Sequence, residues 1–139
     1  SNLIAKAIVG GEVVATQCVR TPGVPTYLKL EADFMGIPLK ADGADIVAVR
    51  CLVMDYDHTV APLTRDHEPI LFEIEGEGEI VGDSAIGANP ICPDAGIATV
   101  LVRAKRNAGE IKIKARLLYP QNFDKAVKPA ELIINSVEE

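Results

Sequence analysis

Apolar side chains recur at every second position in run after run of this chain, and that periodicity commits it to β structure. Leu28, Leu30 and Ala32 alternate with Lys29, Glu31 and Asp33; Ile70, Phe72 and Ile74 with Leu71, Glu73 and Glu75; Ile111, Ile113, Ala115 and Leu117 with Lys112, Lys114, Arg116 and Leu118. Successive side chains on a strand point to opposite faces, so each run offers one face to a core and the other to water. Val47, Val49, Cys51 and Val53 form a further such face opposite Arg50, and Ala98, Val100 and Val102 another opposite Thr99 and Arg103. Residues 131–137 supply a last strand. No segment of helical length sustains an apolar i, i+3, i+4, i+7 stripe.

Turn signals separate the runs: Met35-Gly36-Ile37-Pro38, Asp42-Gly43, Gly76-Glu77-Gly78, Gly87-Ala88-Asn89-Pro90, Asp94-Ala95-Gly96 and Asn107-Ala108-Gly109. Short strands at this spacing predict an all-β fold, an immunoglobulin-like β-sandwich of about seven strands. A length of 139 residues with 48% apolar content fits one domain with one core. The longest irregular stretch, Val81 to Gly96, is expected to cross from one sheet to the other.

The first residues read differently. Leu3 to Val9 and Glu12 to Val19 are β-prone runs joined by Gly10-Gly11, a pair suited to a two-residue type I′ hairpin turn because both positions need positive φ. Thr21-Pro22-Gly23-Val24-Pro25 follows as a stiff linker. An isolated hairpin is marginally stable in water. Residues 1–22 are therefore expected to be a leftover hairpin of a preceding β domain plus its linker, and residues 23–139 the sandwich. Both hairpin faces are largely apolar, which predicts that it folds back on the sandwich or contacts a neighbouring copy. Ser1-Asn2, with no initiator Met, reads as the remnant of a cleaved tag on a piece of a longer protein.

The charge balance excludes some partners. Twenty acidic residues against 14 basic give a net charge of -6, and the basic residues are scattered, which is wrong for a phosphate-binding surface. No apolar run approaches the roughly 18 residues that span a bilayer. Cys18, Cys51 and Cys92 cannot all pair within one chain, and none stands in a CxxC or a Cys/His cluster with zinc spacing, so all three are expected to be thiols.

Several groups of residues could carry chemistry, and each has a plainer reading. Glu73, Glu75, Glu77 and Glu79 form an acidic row, and i, i+2 carboxylates on a strand can approach the ~5 Å of a retaining glycosidase pair. One open strand supplies no walled cleft or unequal environments, so a solvated strand face is expected. Asp55, Asp57 and Glu68 are hard oxygen donors near a loop, but their spacing matches no calcium-loop motif. His58 and His67 flank the same loop without metal-spaced partners. Ser84 follows Gly82-Asp83 without a Gly-x-Ser-x-Gly elbow, and the acidic Gly76-Glu77-Gly78 would repel a phosphate. No catalytic, metal or cofactor-binding residue is expected. Sugar binding would need exposed aromatic rings; the chain has 4% aromatics and no Trp, with Phe72 on the buried parity and Tyr27, Phe34, Tyr56, Tyr119 and Phe123 at strand edges and loops.

The residues also carry a resemblance. The stretch Ala5-Lys6-Ala7-Ile8-Val9-Gly10-Gly11-Glu12-Val13-Val14-Ala15-Thr16, then Val19-Arg20-Thr21-Pro22-Gly23 and Leu28-Lys29-Leu30-Glu31-Ala32-Asp33, resembles the junction of the last two β domains in bacterial glycoside hydrolase family 2 enzymes of the β-galactosidase type. Ala41-Asp42-Gly43-Ala44-Asp45, Asp55-Tyr56-Asp57, residues 72–82, Gly96-Ile97-Ala98-Thr99-Val100 and Gly109-Glu110-Ile111 are similar to its C-terminal immunoglobulin-like domain. Where the family often has Asp-x-Asp-Gly, His58 stands in the Gly position, which leaves the turn type open. The resemblance implies a non-catalytic accessory domain that packs on the parent's other domains or subunits, with a separate (β/α)8 barrel carrying the two catalytic Glu. The compartment stays unknown, with a periplasmic or secreted parent favoured over a cytoplasmic one. Gly-x-Gly-x-Ile-x-Gly and the Asp-Gly-Ala-Asp turn also occur in invasin-type repeats. A carbohydrate-binding module and an invasin-like adhesin repeat are the alternative readings.

Overall fold

A computed structural model describes residues 24–61, 68–118 and 127–139, apart from the Ser84 side chain, together with the strand pairing of residues 2–9 and 12–20. Strands β1 (Asn2–Val9) and β2 (Glu12–Arg20) pair antiparallel as their own two-stranded sheet, with Leu3 opposite Val19 and a register shift between Ala7 and Ile8. The Gly10-Gly11 turn and residues 21–23 of the linker lie outside the described residues.

Seven strands follow: β3 (Pro25–Asp33), β4 (Ile46–Asp55), β5 (Ile70–Gly76), β6 (Gly78–Ile80), β7 (Ile97–Ala104), β8 (Glu110–Leu117) and β9 (Ala130–Asn135). They form one sheet in the order β3-β4-β7-β6 and another in the order β5-β8-β9, with every ladder antiparallel. Taken in chain order, that is the A-B-E-D over C-F-G arrangement of a constant-type immunoglobulin sandwich.

The alternation explains the core. Val49, Cys51, Val53 and Val102 from the four-stranded sheet and Ile70, Phe72, Ile111 and Ile113 from the three-stranded sheet are each at most 2% exposed. These are the inward parities of the runs, and the two inner faces interdigitate to make a single apolar cluster. Burying such side chains is worth about 1.5–3 kcal/mol each, which is what drives the sheets together.

The sheets join at Glu77, a correction to two expectations. Gly76-Glu77-Gly78 is more than a turn: β5 ends at Gly76 in one sheet and β6 begins at Gly78 in the other. Gly76 sits at φ +96°, and a Cβ there would overlap the Glu110 carbonyl, so the switch requires glycine. The Val81–Gly96 connection, expected to make the crossing, instead leaves and returns to the same sheet, because β6 and β7 are neighbours. On the way it covers the free edge of β5. Ile91 exchanges backbone hydrogen bonds with Ile70 at 2.8 and 3.0 Å, while the Asn89 side chain accepts from Phe72 N–H at 2.9 Å and donates to Phe72 C=O at 2.8 Å. An amide side chain thus completes the ladder of an edge strand.

The other edge is tied by parallel bridges between Tyr27 and Lys128 and between Lys40 and Val137. Val137 therefore pairs beyond β9, which ends at Asn135 rather than continuing to residue 137.

Candidate functional site

Glu73 and Glu75 lie where strand parity puts them, on the outer face of the three-stranded sheet, Glu79 lies on β6 of the other sheet, and all three are paired with cations. Glu73 is 3.1 Å from Arg116 Nε, Glu75 is 3.5 Å from Lys114 Nζ and Glu79 is 2.9 Å from Arg103 Nε. Lys112 completes the pattern, 2.7 Å from Glu131. On the three-stranded sheet the partners meet on the diagonal of the ladder: Glu73 is opposite Lys114 and Glu75 opposite Lys112, and each carboxylate reaches the cation two residues further along β8. Carboxylates paired with cations on an open face lack the unequal environments that split a pair into acid and nucleophile. Glu77 stands at the sheet switch that divides the acidic row, where its backbone bonds to Glu110 and Lys105.

Asp55 closes β4 and is buried at 1% exposure. Its Oδ1 accepts from the N–H groups of Asp57 at 2.9 Å and Thr59 at 2.8 Å, folding residues 55–59 into a tight turn. His58 adopts φ +63° in that turn, the conformation a glycine would take, at a cost on the order of 1 kcal/mol. The glycine-type turn is thus retained with a side chain on it. That side chain does something glycine could not: His58 Nδ1 and Tyr27 Oη lie 2.7 Å apart, with the rings edge-to-face at 6.0 Å. The 31-residue separation hides this contact from sequence reading.

Glu68 is buried at 4% exposure, and His67 lies outside the described residues. Among the described residues no three His, Cys, Asp or Glu side chains converge as a metal's ligand set. Ser84 opens a short 3-10 turn, Ser84–Ile86. Asp42 accepts from the N–H groups of Ala44 and Asp45 at 2.8 and 2.7 Å, and these bonds hold its carboxyl below the usual carboxylate range. Of the aromatic candidates, Phe72 is core, Phe34 packs against the core, Tyr27 holds His58, and Tyr56 projects at 84% exposure. Tyr119 and Phe123 lie outside the described residues. Cys51 and Cys92 are free thiols, Cys51 buried and Cys92 exposed, and burial pushes the Cys51 thiol up to about 12. The side chain of Cys18 lies outside the described residues.

Sequence reading passed over the outer face of the four-stranded sheet. Ile46 (46% exposed), Ile97 (38%) and Leu101 (44%) share it with half-buried Leu52, which lies opposite Ile97. Arg50, Thr99 and Arg103 mark that parity as solvent-facing, and their polarity drew attention from the apolar residues between them. No helix among the described residues is long and apolar enough to cross a membrane.

Comparison with known proteins places this geometry. Residues 28–118 match the family model described as glycoside hydrolase family 2 C-terminal domain 5. A β-galactosidase of Thermoanaerobacter pseudethanolicus is 35% identical over 119 residues, covering 86% of this chain and 15% of that protein. The structure of a β-glucuronidase from glycoside hydrolase family 2 superposes with a TM-score of 0.71 at 23% identity, covering 99% of this chain and 14% of that one. A more distant likeness, to the adhesin InvE of Yersinia pseudotuberculosis, has a TM-score of 0.50 at 16% identity, over 80% of this chain and 26% of that one; it reflects a shared fold. The chain thus spans about a seventh of the glycosidases it matches, and it belongs to the family of glycoside hydrolase family 2 C-terminal domains.

Proposed function

We propose that this chain is a non-catalytic accessory domain of a β-galactosidase-like enzyme, one that packs on other domains or subunits of its parent while a separate barrel performs hydrolysis. In this reading residues 1–22 are the final hairpin and linker of the preceding β domain, and residues 23–139 the accessory sandwich. The open edges of β1 and β2 would also suit pairing with a second copy. The observation that carries the proposal is the state of Glu73 and Glu75: each is held by a cation on an exposed face, in a domain of a glycosidase family. A catalytic pair requires a walled cleft and unequal surroundings for its two carboxyls, whereas Glu73 and Glu75 each face a cation on an open sheet.

The test is an assay of the purified chain, and of the complete polypeptide, against chromogenic β-galactosides and β-glucuronides. The chain alone is expected to give no turnover, and Glu73→Gln with Glu75→Gln to leave kcat of the complete polypeptide unchanged. Turnover by the chain that vanishes in the double variant would overturn the proposal. A second reading rests on Tyr56, whose exposed ring stands in the same turn as His58 and could cover the apolar face of a sugar. Micromolar binding of galactosides by calorimetry, lost in Tyr56→Ala, would favour it.

A further inference from the structure

The outer face of the four-stranded sheet has no role in the account so far. Its apolar side chains, Ile46, Leu52, Ile97 and Leu101, sit on the two central strands, where a solvated face would carry polar residues. At one end they continue into the loop between β3 and β4, where Ile46 lines a shallow hollow with Met35 and Ile37. Met35 is 84% exposed and Ile37 64%.

We propose that this face, extended by Met35 and Ile37, is the surface on which another domain of the same polypeptide docks through apolar side chains. The proposal rests on the accessory-domain reading above and assigns it a surface.

Three observations support it. The loop is built to hold its apolar residues outward: Met35 is fixed at φ +51°, its N–H donates to Asp33 Oδ1 at 3.1 Å, and Ile37 N–H donates to Phe34 C=O at 2.9 Å. A strained backbone that exposes a large apolar side chain is a feature that local stability alone does not favour. The charges that flank the apolar residues are already matched, with Glu31 between Lys29 at 3.2 Å and Arg50 at 3.6 Å, and Arg103 on Glu79 at 2.9 Å. The occupant therefore need bring no charge. Finally, the β-galactosidase relative carries its matching segment in a chain of which this one spans 15%, so the remainder is tethered to the sandwich. A tethered domain meets this face at high effective concentration, an advantage that a second, free copy lacks.

Thiol labelling tests the assignment. In a Cys18→Ser, Cys92→Ser background, Leu101→Cys, Met35→Cys and Ile133→Cys are made separately in this chain and in the complete polypeptide, and maleimide labelling rates are compared. Ile133 lies on the opposite outer face and is 51% exposed. The proposal expects labelling at 101 and 35 to be at least tenfold slower in the complete polypeptide and labelling at 133 to be equal in both. Protection at 133 with none at 101 or 35 would overturn the surface and leave the accessory reading standing; no protection at any site would overturn both. Protection at 101 within the short chain itself, rising with concentration, would make a second copy the occupant and overturn the tethered one.

Discussion

On the outer face of β5, β8 and β9, Glu73, Glu75, Lys112, Lys114, Arg116 and Glu131 form three cross-strand ion pairs of 2.7–3.5 Å. On the outer face of β4 and β7, Ile46, Leu52, Ile97 and Leu101 alternate with Arg50, Thr99 and Arg103, of which Arg50 pairs with Glu31 and Arg103 with Glu79. Both faces stand on the same core, and both follow from period-two sequence, so folding alone does not account for the difference. Exposed cross-strand ion pairs contribute little stability and keep a sheet soluble. Apolar side chains at outward positions on central strands contribute nothing until something covers them. Among the described residues of its strands the three-stranded face exposes one large apolar side chain, Ile133, and the four-stranded face exposes three, Ile46, Ile97 and Leu101, the surface proposed above for docking.

The contrast presumes fixed parity along β4, with Cys51 inward and its neighbours Arg50 and Leu52 outward. The largest expected effect tests that. Because burial raises the folded-state thiol to about 12, Cys51 in the native protein at pH 8 should alkylate about a thousandfold more slowly than an unperturbed thiol, for want of thiolate. Cys92 should be modified first, and mass spectrometry of the tryptic peptides reads both sites. A folded-state pKa above the unfolded one means that the neutral thiol's contribution to stability is complete below about 9 and is lost as pH climbs from 9 towards 12. Rapid native alkylation of Cys51 would show that β4 is turned the other way, and the contrast between faces would dissolve.

Next in size is the switch that parts the two sheets. Gly76→Ala places a Cβ against the Glu110 carbonyl at a positive φ, and should cost about 1–3 kcal/mol of unfolding free energy, read as a lowered urea midpoint. A neutral result would mean that β5 and β6 are not divided at Glu77. The smallest effect belongs to the ionic face. A double-mutant cycle of Glu73→Gln and Arg116→Gln should give a coupling of about 0.2–1 kcal/mol that shrinks with salt. A coupling of several kcal/mol would mark that face as desolvated, and so as the covered one.

Most of the fold was legible because burial on a strand is a local, two-residue rhythm: the core residues of β3, β4, β5, β7 and β8 fall on the predicted parity. β6 was not, because three residues between Gly78 and Ile80 carry no rhythm to detect. The excursion of residues 81–96 was misjudged for a related reason, since the Asn89–Phe72 and Ile91–Ile70 bonds join residues 17 and 21 positions apart that share no pattern. At the candidate sites, the solvated state of Glu73 and Glu75 was readable from parity, whereas their partners depend on register. The pairing of His58 with Tyr27 depends on a turn whose geometry the His itself disguised. The apolar residues of the outer face were present in the sequence as Leu52, Ile97 and Leu101, but their placement on one face, with Leu52 opposite Ile97, depends on the β4–β7 register.

The most direct test of the two-face account is a pair of charge insertions, Leu101→Lys and Ile133→Lys, followed by thermal unfolding of the complete polypeptide and of this chain alone. In the short chain each should shift stability by no more than about 0.5 kcal/mol, since both positions are exposed. In the complete polypeptide, Leu101→Lys should lower the melting temperature or split off a separate transition for the sandwich, while Ile133→Lys should melt like the parent. Equal melts for the two variants, or a loss confined to Ile133→Lys, would contradict the account.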